Sequence, residues 1–358
     1  MANDPRDLNG SKLTSALLHL GTDPTLRGEL MQWLKKAEKR IDYAGPVRDD
    51  ITGPIIDALH TEHDQYAKTL ADGTRFEVLY RTKIARDFIL SEEECPSHVW
   101  EPQTTRLLQH LAGLTLGDVL IGGAYFGDHA ILLARQLAGT GRLVHCFEPN
   151  QAQSGMLENN ARLNALDNLR LERVGLWHES NTKLRLDGFD SFANAVLADG
   201  SGESFPTITI DEYCQLHQRS LGVIMLDIEG AELHALQGAA RVLREAQPTV
   251  VFEVHRDYVD WSGGLMNTPI CSLLSNAGYR LYAVRDFHSH QEMHGRCIEL
   301  IPADKVFLKG PPHGFNMLAA PPGCALELPL FRMVENVSPK LLRHKSAALH
   351  HPMDGMPP

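Results

Sequence analysis

The chain has 358 residues, of which 43% are hydrophobic and 22% are charged, and its formal net charge is −11. These values describe a globular protein with a full hydrophobic core, longer than one usual domain. The acidic balance argues against a nucleic-acid partner, which a basic surface would bind.

The N-terminus lacks the basic and then apolar pattern of a signal peptide, and no run approaches the 18 apolar residues of a membrane span. The six cysteines include no C-x-x-C pair, which favours reduced thiols over disulfides or a zinc ribbon. We therefore expect a cytoplasmic protein without a membrane span.

The first hundred residues predict an accessory, mainly helical segment. Leucines recur at helical spacing over residues 11–45, with Asp23-Pro24 between two helices. A third helix is expected over 53–70, whereas residues 75–90 read as one or two strands. We expect segment 1–100 to cover the acceptor site or to mediate dimerisation.

Apolar strands and amphipathic helices alternate from residue 101 onward, which predicts an α/β fold with a doubly wound, mostly parallel sheet. Late strands without long intervening helices indicate an antiparallel edge, and we expect seven strands over 101–310. Half of the chain's 20 prolines follow residue 301, so 311–358 is expected to be a partly disordered tail. The expected strands are 118–122, 142–148, 169–175, 222–228, 249–254, 280–284 and 296–301, and the expected helices are 103–112, 128–138, 151–164, 231–244 and 267–277.

Two successive strand ends carry residues suited to a nucleoside cofactor. The turn Gly122-Gly123-Ala124-Tyr125-Phe126-Gly127 follows the first strand, and Glu148 follows the second. A glycine turn lets a ligand approach the backbone, and an acidic residue after the next strand can bind a ribose diol. The alternatives are a purely conformational turn and a carboxylate that complements a helix dipole.

The turn departs from the dinucleotide pattern G-x-G-x-x-G, because Ala124 takes the third position. S-adenosylmethionine has no pyrophosphate and needs only a looser G-x-x-x-G turn, which Gly123 and Gly127 supply. Gly175, after the third strand, would lie near the adenine. An NAD-dependent oxidoreductase or epimerase is the alternative, against which the absence of a Tyr-x-x-x-Lys dyad also argues.

Several motifs resemble FkbM-type methyltransferases over roughly residues 100–305. They are Phe147-Glu148-Pro149-Asn150, Met225-Leu226-Asp227-Ile228-Glu229-Gly230-Ala231-Glu232 and Val251-Phe252-Glu253-Val254-His255, in family order. The resemblance implies a class I, Rossmann-like methyltransferase that uses S-adenosylmethionine. Such enzymes usually methylate oxygen on sugars, glycan precursors or natural products, and some act on peptide nitrogen. The cofactor-binding residues are then expected to be Gly123, Ala124, Gly127, Asp128, Glu148, Pro149, Asn150 and Gly175.

One position departs from the family pattern, which commonly has Asp where this chain has Ile121. That carboxylate normally helps to order the turn, and Asp128 or Glu101 could compensate for it. A degenerate, non-catalytic nucleoside-binding module is therefore a third interpretation.

The catalytic groups are expected at the carboxyl ends of the fourth and fifth strands. Asp227 and Glu229 end one strand, while Glu253 and His255 end the next, and each pair has the i, i+2 spacing of one strand face. We predict Asp227, His255 and Glu253 as catalytic residues, with His255 or Asp227 preferred as the general base.

No metal site is predicted. Mg²⁺ at the four carboxyl-end groups is an alternative that we do not favour. His288, His290 and His294 are expected in a solvated loop near the acceptor pocket. The expected partner is a small-molecule or glycan acceptor, with no nucleic acid. The sequence leaves open whether the protein forms a homodimer.

Overall fold

The computed structural model describes residues 10–187, 194–198, 203–287, 290–293, 295–308, 314–326 and 328–341. The helices are α1 (Gly10–Gly21), α2 (Pro24–Glu38), α3 (Gly53–Asp57), α4 (Lys83–Ile89), α5 (Pro102–Leu114), α6 (Ala130–Leu137), α7 (Gln151–Leu163), α8 (Ile210–His217), α9 (Glu232–Gln237), α10 (Ala240–Glu245) and α11 (Pro269–Asn276). The strands are β1 (Gln65–Thr69), β2 (Arg75–Leu79), β3 (Asp118–Gly122), β4 (Val144–Phe147), β5 (Leu169–Glu172), β6 (Gly175–Leu176), β7 (Lys183–Asp187), β8 (Asn194–Leu197), β9 (Phe205–Ile208), β10 (Leu221–Leu226), β11 (Thr249–His255), β12 (Arg280–Arg285), β13 (Ile298–Pro302), β14 (Gly314–Ala320) and β15 (Phe331–Met333).

A nine-stranded sheet in the order β15-β13-β12-β14-β11-β10-β3-β4-β5 forms the frame of the molecule. Strands β5, β4, β3, β10 and β11 run parallel. The connections lead away from β3 in opposite directions, so a crevice opens where the carboxyl ends of β3 and β10 diverge. The predicted doubly wound α/β fold is confirmed.

Helices cover both faces of this sheet, which explains its near-continuous apolar strands. Val119 and Ile121 of β3 belong to one hydrophobic core, whereas the intervening Leu120 belongs to the core on the opposite face. Among the described helices, none combines the length and apolarity that crossing a bilayer requires.

The two predicted N-terminal helices are confirmed, and the Asp23 carboxylate caps α2 by accepting the amides of Thr25 and Leu26. The helix expected over 53–70 is wrong, because α3 ends at Asp57 and β1 pairs with β2 in a hairpin. The overlooked signal is Asp72-Gly73, a turn pair in which Gly73 has φ +85°.

The N-terminal segment contributes to two different hydrophobic cores. Met31 and Ile56 belong to a small separate cluster, whereas Phe76 and Phe88 pack in the main core together with α5 and α6. The part of the chain before α5 therefore closes one face of the sheet. The boundary at residue 100 between this segment and the following domain remains a prediction.

The sheet extends beyond residue 310, contrary to the expectation that the strand at 296–301 completes it. Strand β14 is buried along its whole length and runs antiparallel between β11 and β12, and β13 runs antiparallel to β12 near the edge of the sheet, as expected. Strands β14 and β15 are the two additions to the seven expected strands, which gives nine in the described part of the sheet. The apolar stretch was concealed by its flanking pairs Pro311-Pro312 and Pro321-Pro322. Residues 342–358 of the expected tail lie outside the described residues.

One local expectation between β9 and β11 was also wrong. Thr209 caps α8, and the Asp211 carboxylate accepts the amides of Arg241 and Val242 at the start of α10. The helix expected over 231–244 is divided at Gly238 into α9 and α10.

The internal position of β14 predicts different effects for two C-terminal deletions. Removal of residues 309–358 leaves β11 and β12 without their shared neighbour and exposes their backbone edges, so cooperative thermal unfolding should be lost. Removal of residues 342–358 spares every described strand and should preserve the transition by circular dichroism. Equal, sharp transitions in both deletions would contradict this topology.

Candidate active site

A cavity of about 250 Å³ lies in the crevice at the carboxyl ends of β3, β4, β10 and β11. Among the residues predicted for the site, those that line it are Gly123, Asp128, Glu148, Pro149, Asn150, Gly175, Asp227 and Glu253. Ala124 and Gly127 shape the turn without lining the cavity, and His255 does not line it either.

The glycine turn is held between β4 and β10. The Gly123 amide donates to the Phe147 carbonyl at 3.0 Å, and the Asp227 amide donates to the Gly122 carbonyl at 3.0 Å. Gly123 has φ +75°, and a Cβ there would lie 1.7 Å from the Asp227 carbonyl oxygen. A side chain at this position would therefore push the turn away from β10.

Glu148 connects the turn with the end of β4. One of its carboxylate oxygens accepts the Tyr125 amide at 3.0 Å, and the other accepts the Asn150 amide at 2.9 Å. Asn150 in turn caps α7 through the amides of Ala152 and Gln153. Because a carboxylate accepts about four hydrogen bonds, Glu148 can hold the turn and also bind hydroxyls of a ligand in the cavity.

The opposite wall of the cavity is acidic. One carboxylate oxygen from each of Asp227, Glu229 and Glu253 lies within 4.8 Å of the others. Burial raises the pKa of Asp227 to about 7, and the negative charges of Glu101 and Asp128 add to this effect. Burial, followed by the charge of Asp227, also raises the pKa of Glu229 to about 8 and that of Glu253 well above its usual value.

The loop after β10 is held by Glu232. Its carboxylate accepts the amides of Ile228 at 2.8 Å and Gly230 at 3.0 Å, across the left-handed conformations of Glu229 (φ +49°) and Gly230 (φ +97°). Glu232 therefore has the structural role of binding the amides of this loop. Among the described hydrogen bonds, Glu229 makes no such contact, and its carboxylate belongs to the acidic group with Asp227 and Glu253.

Ile121 lies in the core, and carboxylates reach the cavity from other elements. Glu101, immediately before α5, and Asp128, immediately before α6, both line it. Glu101 has φ +44° and accepts a hydrogen bond of 2.6 Å from the Asn316 amide group. Asn316, on β14, was not anticipated, because β14 itself was not.

His255 is separated from the cavity by the geometry of its own turn. Its Nδ1 accepts the Asp257 amide at 3.2 Å, and its ring lies beside that of Tyr258. The i, i+2 spacing therefore brings Glu253 into the cavity wall but not His255.

The apolar part of the cavity comes from segments that the sequence did not associate with the site. Leu184 and Leu186 of β7 and Phe205 of β9 belong to a separate sheet ordered β6-β9-β7-β8. Trp100 and Tyr125 complete this side. The signal for β7 was its alternation of Lys183 and Arg185 with the two leucines.

Carboxylate oxygens are ligands that Mg²⁺ accepts, so Asp227, Glu229 and Glu253 are the residues of this cavity that could hold a divalent cation. The histidine loop differs from its prediction, because His290 is buried and not solvated. His288 and His294 lie outside the described residues.

Residues 122–281 match the family model described as Methyltransferase FkbM domain. The match covers less than half of the chain. It confirms the predicted resemblance to FkbM-type methyltransferases. No curated protein sequence matches the chain.

Solved structures similar to this chain include several methyltransferases. Methyltransferase FkbM from Methylobacillus flagellatus is 17% identical, with a TM-score of 0.33, and the match covers 57% of this chain and 43% of that one. The tRNA (uracil-54, C5)-methyltransferase of Pyrococcus abyssi, in complex with S-adenosyl-L-homocysteine, is 14% identical, with a TM-score of 0.35 and coverages of 72% and 44%. The precorrin-6y C5,15-methyltransferase of Geobacter metallireducens is 12% identical, with a TM-score of 0.33 and coverages of 61% and 87%. The chain thus spans less than half the length of the first two.

The raised pKa of Asp227 predicts a pH-dependent gain in stability for Asp227→Asn. Because the folded state holds this proton more tightly than the unfolded state, the wild-type carboxyl lowers the stability progressively as pH rises from about 4 to about 7. The variant cannot ionise here, so its melting temperature relative to the wild type should be higher at pH 8 than at pH 5. Glu158→Gln, an exposed substitution on α7, is the control. The same difference at both pH values would contradict the assigned pKa direction.

Proposed function

We propose that this methyltransferase transfers the methyl group of S-adenosylmethionine to a hydroxyl group of a small molecule, such as a sugar, a glycan precursor or a natural product. One observation carries the proposal. A single cavity is lined both by Gly123 of the glycine turn and Glu148 and by the Asp227, Glu229 and Glu253 carboxylates.

The residues that would hold the cofactor fit it in three respects. Gly123 leaves the backbone accessible, Glu148 offers carboxylate oxygens for ribose hydroxyls, and Gly175 lines the cavity after the third parallel strand. When bound, S-adenosylmethionine supplies a methyl group that its sulfonium already activates. The protein therefore needs to orient the acceptor and remove its proton.

The proton of an acceptor hydroxyl would pass to Asp227 or Glu253. A general base works best when its pKa is near the working pH, and burial together with neighbouring negative charge brings Asp227 to about 7. Because His255 lies outside the cavity wall, we assign proton transfer to these carboxylates and not to the imidazole.

The shape of the cavity supports an organic acceptor of modest size. Leu184, Leu186 and Phe205 offer apolar surface opposite the acidic wall, an arrangement that can orient a ring or chain while a polar group faces the carboxylates. The net charge of −11 disfavours a nucleic-acid acceptor. The cytoplasmic location and the homodimer stay predictions.

The proposal is tested by methyl transfer from labelled S-adenosylmethionine to a panel of polyol, phenol and amine acceptors. We expect hydroxyl methylation whose rate rises between pH 6 and pH 8, as the base loses its proton. Asp227→Asn or Glu253→Gln should lower the maximal rate about 10²- to 10⁴-fold without abolishing S-adenosylhomocysteine binding.

Glu158→Gln, far from the cavity on the exposed side of α7, should leave the rate unchanged. Methylation confined to amines would overturn the hydroxyl assignment. Binding of S-adenosylhomocysteine without turnover of any acceptor would favour the non-catalytic module, and stabilisation by NAD alone would favour the oxidoreductase.

A further inference from the structure

A second group of chemically reactive side chains lies outside the cavity. His98, shortly before α5, and His290, after β12, are 192 residues apart in sequence, yet their rings stack with centroids 4.4 Å apart at 9°. Both side chains are buried, with His98 only 2% exposed. The carboxylate of Glu292 completes the group, and one ligand-type atom from each of the three lies within 4.8 Å of the others.

Each imidazole uses one ring nitrogen for a hydrogen bond to the protein, which leaves the other nitrogen to face a metal. A neutral imidazole keeps one nitrogen lone pair, which is the donor that a transition metal binds.

Hydrogen bonds orient these rings from outside. His290 Nε2 donates to the His98 carbonyl at 2.9 Å, which places the ring's lone pair on Nδ1. His98 Nδ1 lies 3.1 Å from the Ser97 hydroxyl, and that hydroxyl donates to Glu292 Oε2 at 2.6 Å. The Ser97 amide donates to Glu292 Oε1 at 2.7 Å. Carbonyl and carboxylate partners of this kind fix the ligands of protein metal sites.

One nitrogen of the group has no partner. His98 Nε2 is buried and makes no hydrogen bond within the part of the chain that the structure describes. With Nδ1 donating to Ser97, Nε2 carries a lone pair, and an unsatisfied buried acceptor costs roughly 1–3 kcal/mol. A metal ion would satisfy it.

We propose that His98, His290 and Glu292 form a binding site for a divalent transition metal, with Zn²⁺ as the best-suited ion. Two imidazoles and one carboxylate are a known zinc ligand set, with water in the fourth position. Ligand atoms on tetrahedral zinc are about 3.3–3.5 Å apart, so separations that reach 4.8 Å would shorten by at most about 1.5 Å on binding.

The ion would tie the loop after β12 to the segment just before α5. Trp100 and Glu101, two and three residues after His98, line the cavity. The proposed metal is therefore a structural clamp that fixes one wall of the active site. This zinc site differs from a Mg²⁺ site at Asp227, Glu229 and Glu253, because it lies outside the cavity and uses nitrogen ligands.

The test uses the full chain, freed of any affinity tag and purified from zinc-supplemented culture. Elemental analysis should find about one zinc per chain. Treatment with EDTA should lower the melting temperature, and added Zn²⁺ should restore it. Because both measurements use the wild type, they do not depend on the folding of any variant.

Variants then locate the ion. His290→Gln should lose most of the zinc, and Ser97→Ala, which removes an outer hydrogen bond, should weaken zinc binding about 10- to 100-fold in competition with a chelator. His110→Gln is the matched control, since His110 Nε2 is also buried without a partner but the ring packs against Phe331 and has no second histidine beside it. Absence of zinc from the wild type with no EDTA effect would overturn the site, as would full zinc retention in His290→Gln.

Discussion

The two hydrogen bonds accepted by Glu148 are the interaction on which the active site depends. They join the turn after β3, through the Tyr125 amide, to the start of α7, through the Asn150 amide. A charged acceptor shared by two partly buried amides stabilises more than a neutral one, so the turn is fixed before any ligand enters. The same carboxylate lines the cavity. One side chain therefore both holds the turn in place and can bind a ligand.

The acidic wall is a consequence of topology. Asp227 and Glu253 are brought together because β10 and β11 are parallel neighbours whose carboxyl ends meet at one edge. Glu101 and Asp128 add charge from the starts of two helices, and these charges raise the pKa of Asp227 in addition to the effect of burial. This repulsion disfavours full ionisation of the empty cavity, and it prepares a proton acceptor near neutral pH.

The sequence predicted those parts of the fold in which local pattern and tertiary environment agree. The parallel strands and their helices were predicted because both sheet faces are buried and the strands are apolar throughout. Strand β14 was missed because proline pairs flank it, and the β1–β2 hairpin was missed because the helical interpretation extended to residue 70 and so covered β1. At the site, Glu148, Asp227 and Glu253 were anticipated from their positions at strand ends. Trp100 and Phe205 could not be, since only long-range packing brings them to the cavity, and the same packing brings Asn316 to Glu101. His255 was predicted for the site from its position at a strand end, but the turn after β11 holds its ring outside the cavity.

The most direct test of this account is a crystal structure of the protein with S-adenosylhomocysteine. The account predicts that the ribose hydroxyls bind Glu148, that the amino-acid part passes along the Gly123 backbone, and that the sulfur faces the Asp227–Glu253 wall. A ligand bound elsewhere, or a ribose that makes no contact with Glu148, would contradict it.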